Sequence, residues 1–282
     1  MKTGYWMAWV ILGVGPALAW GDDCKFRAER AGNADAAGIQ KVVIRAGAGD
    51  LKVNGHGSAT RIEARGIACA GKQDLLDATQ INVRREGGVV YVETAIPQDQ
   101  GKGLWGSSTY AYIDLSITLP DNVSVEAIDS SGDASFEQLA ALNLTDSSGD
   151  LKLRNIAGAL TLSDSSGDIG IDGAGSVKLS DSSGDIQVTR VRGDVEVLMD
   201  SSGDMRITGV DGNVTVQQDT SGNIHVEEVK GSVTVNADSS GDIYAARVGG
   251  DFTVRQDSSG NIEHADVAGK IDLPPNHGGD GQ

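Results

Sequence analysis

From Asp181 onward the chain repeats one pattern of apolar and polar positions at a constant interval, the step from Asp181 to Asp200 being also that from Asp200 to Asp219. In the copy that follows Asp200 the apolar positions are Met205, Ile207, Val210, Val214 and Val216, and in the next they are Ile224, Val226, Val229, Val233 and Val235. The preceding copy offers Ile186, Val188, Val191, Val195 and Val197. Polar residues such as Gln187, Glu196, Arg206, Thr215 and His225 alternate with them. A period of two is that of a strand with one face buried and the other wet, so each copy predicts two short strands joined by two turns.

One turn is spelled out almost without variation as Asp-Ser-Ser-Gly-Asp. The phrase starts at Asp129, Asp146, Asp164, Asp181, Asp200, Asp219, Asp238 and Asp257, slightly closer together before Asp181 and evenly spaced after it. A unit this short cannot bury five aliphatic side chains by itself, so each must lie on the next and share a continuous core. Burial of those side chains, at roughly 1.5 to 3 kcal/mol each, is the main favourable term, opposed by the ordering of the chain. The predicted fold is therefore all-β, a β-solenoid of stacked two-strand rungs. Equivalent residues then form columns with a repeat of about 4.8 Å. The glycine of each phrase is expected at a corner that needs a positive φ, and Gly193, Gly212, Gly231, Gly250 and Gly269 mark a second corner.

Regularity fades toward the N-terminus. Ala48-Gly49-Asp50-Leu51-Lys52-Val53 already has the cadence of the later units, and further strands are expected at Gln80 to Arg85, Val89 to Thr94 and Tyr110 to Leu119. The apolar pair in Asp74-Leu75-Leu76-Asp77 is too short for a long helix. Residues 20–128 are thus read as an irregular β region that begins or caps the solenoid, 129–273 as the regular solenoid, and 274–282 as a loose tail.

Residues 1–19 read as a secretory signal, with Lys2, an uncharged run to Pro16 and a cleavage site at Ala17-Leu18-Ala19; an uncleaved anchor is the alternative. Export makes an oxidising compartment the expected one, in which Cys24 and Cys69 can pair. The periplasm, the outer-membrane surface and the medium all satisfy such a signal, and no later segment is apolar enough to insert in a membrane. Lys and Arg number 23 against 40 Asp and Glu, and a net charge of -17 argues against nucleic acid as a partner.

The motifs resemble those of the bacterial family of β-strand-repeat proteins of unassigned function that carries the label "putative adhesin". The resemblance rests on Gly49-Asp50-Leu51-x-Val53, on Ile113-Asp114-Leu115-Ser116-Ile117-Thr118-Leu119-Pro120 leading into Val123-x-Val125, and on the Ser-Gly-Asp-Ile units, over roughly Val42 to Leu273. It implies a β-solenoid at the cell envelope and brings no catalytic residues with it.

The candidate chemistry lies in the first-aspartate column, Asp129, Asp146, Asp164, Asp181, Asp200, Asp219, Asp238 and Asp257. Carboxylates about 4.8 Å apart repel by about 1 kcal/mol per pair even in water. In one reading each folds back in an Asx-turn, accepting from the N–H groups of the second Ser and the Gly. In the other, a row of Ca²⁺ ions lies between carboxylates of adjacent rungs, the chain being a Ca²⁺-binding repeat protein. No other cofactor is expected.

Polysaccharide-active solenoid enzymes use grouped carboxylates, but here the columns repeat in every rung and His56, His225, His264 and His277 share no register. No catalytic residue is assigned. Trp105, Tyr110 and Tyr112 flank a predicted hairpin tip that either covers one end of the core or contacts an envelope protein or glycan. The function expected is that of a non-enzymatic exported scaffold or adhesin-like surface.

Overall fold

The computed structural model describes residues 24–97 and 110–275. Residues 1–19, read from sequence as a signal, Trp105 and residues 276–282 lie outside the described residues. The first half contains β1 (Phe26–Asp35), β2 (Lys41–Arg45), β3 (Leu51–Gly55), β4 (Arg61–Ala70), the helix α1 (Gln73–Ala78), β5 (Gln80–Glu86), β6 (Val89–Ala95), β7 (Ala111–Leu119), β8 (Ser124–Ile128) and β9 (Ala134–Leu139). The repeat region continues with β10 (Ala141–Thr145), β11 (Leu151–Ser163), β12 (Ile169–Ser180), β13 (Ile186–Val191), β14 (Val195–Met199), β15 (Met205–Val210) and β16 (Val214–Val216). It ends with β17 (Ile224–Val229), β18 (Val233–Val235), β19 (Ile243–Val248), β20 (Phe252–Val254), β21 (Ile262–Val267) and β22 (Ile271–Asp272).

These strands make a β-solenoid. One parallel column runs β9-β11-β12-β13-β15-β17-β19-β21, and the other runs β8-β10-β11-β12-β14-β16-β18-β20-β22. The long strands β11 and β12 belong to both columns and carry the chain from one to the other without a break. In-register pairing stacks like on like: Ile169, Ile186, Met205, Ile224, Ile243 and Ile262 form one inward column. The buried core is continuous from Val42 to Ile262.

The first rung of the chain is not the first rung of the stack. β2 and β3, joined through Ala48-Gly49-Asp50, pair with β8 and β9 on one side and with β6 and β7 on the other. The chain then leaves the stack, and β4 returns antiparallel to β7 with β1 antiparallel to β4, while β5 lies antiparallel to β6. This antiparallel layer closes the N-terminal end. A disulfide between Cys24 and Cys69 ties its outer strand to β4 across a sequence separation of 45, worth about 4 kcal/mol on a chain-entropy argument.

The C-terminal end is finished differently. In the column Val188, Ile207, Val226, Ala245, the last rung places His264, with Glu263 and Asp266 beside it. Only Ile262 of β21 is buried. Charge and a polar residue at an inward position make the open edge a poor template for another strand.

Candidate functional site

The Asp-Ser-Ser-Gly-Asp corner recurs at each rung from Asp129 onward, and each of its positions has a separate job. The glycine takes φ between +109° and +133° in all eight copies. At Gly203 an added Cβ would lie 1.9 Å from the carbonyl oxygen of Gly184 on the rung before. Its conformation and its lack of a side chain are both required. The second corner uses glycine only for the latter reason, since a Cβ at Gly193 would lie 2.7 Å from the Gly175 carbonyl oxygen.

The second serine links rungs through its hydroxyl, as Ser183 Oγ donates to Ser165 O at 3.2 Å and Ser221 Oγ to Ser201 O at 3.0 Å. The exposed fifth position forms a second ladder. Asp185 N donates to Asp168 Oδ1 at 3.0 Å, Asp204 N to Asp185 Oδ1 at 2.9 Å, and Asn223 N to Asp204 Oδ1 at 3.0 Å. Asn at 223 preserves this acceptor role, as Asp242 N donates to Asn223 Oδ1 at 3.0 Å. A shorter ladder at the second corner links Asp194, Asn213, Ser232, Asp251 and Lys270 in the same way.

The first aspartate is the unusual member, because its side chain points inward. Asp129, Asp146, Asp164, Asp181, Asp200, Asp219 and Asp238 are between 0 and 4% exposed. The expected Asx-turn requires one correction. Where the carboxylate does accept, the donors are the two serines: Ser182 N reaches Asp181 Oδ1 at 2.7 Å and Ser183 N at 3.3 Å, and Ser259 N reaches Asp257 Oδ1 at 3.1 Å. The glycine N–H is committed elsewhere, Gly184 N donating to Ser202 O of the next rung at 3.1 Å. A positive φ turns that N–H away from its own carboxylate and along the stack.

The remaining oxygens are left over. Among the described residues, Oδ2 of Asp129, Asp164 and Asp181, and both oxygens of Asp146, Asp200, Asp219 and Asp238, have no donor in bonding geometry. Burial pushes Asp129 and Asp219 up to about 7, and Asp146, Asp181, Asp200 and Asp238 up to about 6, with neighbouring carboxylates adding to the rise. At an effective dielectric of 20, two charges about 4.8 Å apart repel by about 3 kcal/mol. Among the described residues, no three carboxylate, imidazole or thiolate groups converge on one point as a metal centre.

Tyr110 and Tyr112 lie at the capped end, half-buried, with ring centroids 6.3 Å apart. The Tyr110 hydroxyl accepts from Lys25 N at 3.2 Å, and Tyr112 stands opposite Cys69. They flank the disulfide, far in the chain from the repeated corner.

A third bend in each rung is missing from the two-turn unit read from sequence. Gln138, Asn155, Gly173, Arg190, Gly209, Glu228, Arg247 and Asp266 all have positive φ, between +54° and +87°. The signal is present but faint: apolar spacing lengthens from two to three between Val188 and Val191, and again from Ile207 to Val210. The extra residue turns the chain so that the next valine still faces inward.

The model of the family described as Toastrack DUF4097 matches residues 77–270. No curated protein matches the sequence. Among solved structures, a "putative cell adhesion protein" from Clostridium sporogenes is similar at 12% identity and a TM-score of 0.33, covering 88% of this chain and 99% of its own. A "putative adhesin" from Bacteroides fragilis is similar at 15% identity and a TM-score of 0.34, covering 89% and 98%. A "putative lipid binding protein" from Parabacteroides distasonis shows 13% identity and a TM-score of 0.34, covering 87% and 96%.

Proposed function

Because the chain belongs to the Toastrack DUF4097 family, we propose that it is a non-enzymatic, exported β-solenoid that serves as a scaffold or adhesin-like surface at the cell envelope. The observation that carries this reading is the uniformity of the stack. Corner, serine ladder and outer ladder repeat from rung to rung, whereas a catalytic centre normally breaks such symmetry at one place. What repetition supplies instead is extended area, with the same polar groups presented many times along a rigid body.

Export is supported by the signal-like segment 1–19 and by a disulfide whose formation needs an oxidising compartment. The partner is a protein or glycan of the envelope or of a neighbouring surface. The experiment is to compare cells producing the full chain with cells lacking it, first by fractionation and then by attachment to protein- and glycan-coated surfaces. The chain is expected outside the cytoplasm, beginning at Trp20 and oxidised, and its loss is expected to reduce attachment. A reduced chain retained in the cytoplasm, or turnover of polysaccharide by the purified protein, overturns the reading.

A further inference from the structure

The inward aspartates form an uninterrupted column through the repeat region, and Asp200, Asp219, Asp238 and Asp257 are direct bridge partners on successive rungs. Among the described residues, every charged group acting on the buried members from Asp129 to Asp238 is another carboxylate. These are the column neighbours themselves, together with Asp50 beside Asp129, Asp168 beside Asp181 and Asp185 beside Asp200. Buried apolar residues stand near the corner in the chain, Val195, Val197 and Met205 near Asp200 for example, and no Lys, Arg or His is among the described groups acting on Asp200.

An ionised carboxylate only accepts hydrogen bonds, so two of them on adjacent rungs can do nothing but repel. A protonated one carries an O–H that its neighbour can accept. Asp146 and Asp164 already lie within hydrogen-bonding reach of each other. The carboxyls at positions 146, 200, 219 and 238 have no donor in full bonding geometry, only the weaker pull of the corner N–H groups, such as those of Ser201 and Ser202 on Asp200, and so offer the most unmet acceptors.

We propose that the first-aspartate column is a proton-held latch, in which neutral carboxyls bond from rung to rung and the loss of their protons to solvent base loosens the Asp-Ser-Ser-Gly-Asp edge of the solenoid. Opening starts at the C-terminal end, where Asp257 is the one member of the column exposed beyond the burial of the rest. The inference does not rest on the adhesin-like reading and stands whatever the surface contacts.

The direction of the pH effect follows from the raised values. An aspartate of the unfolded chain titrates near about 3.9, whereas burial pushes Asp146, Asp181, Asp200 and Asp238 up to about 6 and Asp129 and Asp219 up to about 7. The folded state therefore holds more protons across that interval. The stability contributed by the neutral column is complete below the unfolded value and is lost as pH rises through the folded ones.

The test is thermal unfolding of the mature chain from Trp20, followed by circular dichroism at pH 5, 7 and 9 in chelator, and at pH 8 with millimolar Ca²⁺. Beside it stands the triple variant Asp181→Asn, Asp200→Asn, Asp219→Asn, which keeps the shape and removes three titrations. The wild-type midpoint should fall by more than about 5 °C between pH 5 and 9, and the variant should lose at least a third of that fall. A midpoint that is flat or rises with pH, a variant with the full wild-type fall, or a strong upward shift with Ca²⁺ overturns the proposal, the last by making cations the neutralising species. Should the variant fail to fold, infrared absorption of the wild type decides. At pH 6, where exposed aspartates are ionised, a protonated-carboxyl band that vanishes by pH 9 is expected, and its absence overturns the latch.

Discussion

Gly203 shows how tightly one position can be specified. Its φ of +128° excludes most side chains, and the Gly184 carbonyl oxygen 1.9 Å from a would-be Cβ excludes them again. Gly203→Val is expected to cost about 3 kcal/mol or more, read as a lowered urea midpoint with an unchanged slope. Gly209 has a positive φ of only +72°, and its nearest neighbour to an added Cβ is 3.6 Å away. The same place in other rungs holds Asn155, Arg190, Glu228 and Arg247. Gly209→Asn should therefore behave as an ordinary surface change, with a urea midpoint shifted by no more than about 0.5 kcal/mol in stability. The corner glycine was legible in the sequence because it never varies among the eight phrases. The third bend was not, since a left-handed residue that is polar and exposed leaves no fixed letter behind. The inward aspartates were misleading for the opposite reason: a charged side chain is so rarely buried that its letter argues for the surface.

At the level of strands and ladders, the fifth-position aspartates act as acceptors and their charge is incidental. Asp204 Oδ1 takes the backbone N–H of Asn223 at 3.0 Å and its side-chain amide at 3.1 Å, while Asp204 N is held by Asp185 at 2.9 Å. Asp204→Ala removes the acceptor and should cost about 1 kcal/mol, whereas Asp204→Asn should be nearly neutral, both measured by urea unfolding. An equal loss in the two variants would show that charge, not hydrogen bonding, is what the ladder needs. Strand positions were readable from the period of two, down to β5, β6 and β7 within a residue or two. Their spatial order was not, because periodicity says which face is buried and nothing about which edge is paired. That β2 and β3 lie between β6–β7 and β8–β9 is a long-range choice that local pattern does not encode.

For the molecule as a whole, the stack is close to one-dimensional, since among the described residues the backbone ladder of each repeat rung runs to the rung before it and the rung after. Removing Asp219 to Ala237 takes out one complete repeat and brings Gln218 directly before Asp238. The equivalent positions on the flanking rungs are already aligned through the deleted one: Met205 pairs with Ile224 and Ile224 with Ile243, so Met205 can meet Ile243. The shortened chain should keep its β-sheet dichroism and a single cooperative melt, with a midpoint lowered by a few degrees for the lost nearest-neighbour contacts. Removing only residues 219–228 leaves a half rung, sets β18 against the wrong column and should abolish that melt. If both deletions unfolded alike, the rungs would not be interchangeable. The two ends would then have to be coupled through the whole stack instead of being closed separately, by the antiparallel layer and disulfide at one end and by Glu263, His264 and Asp266 at the other.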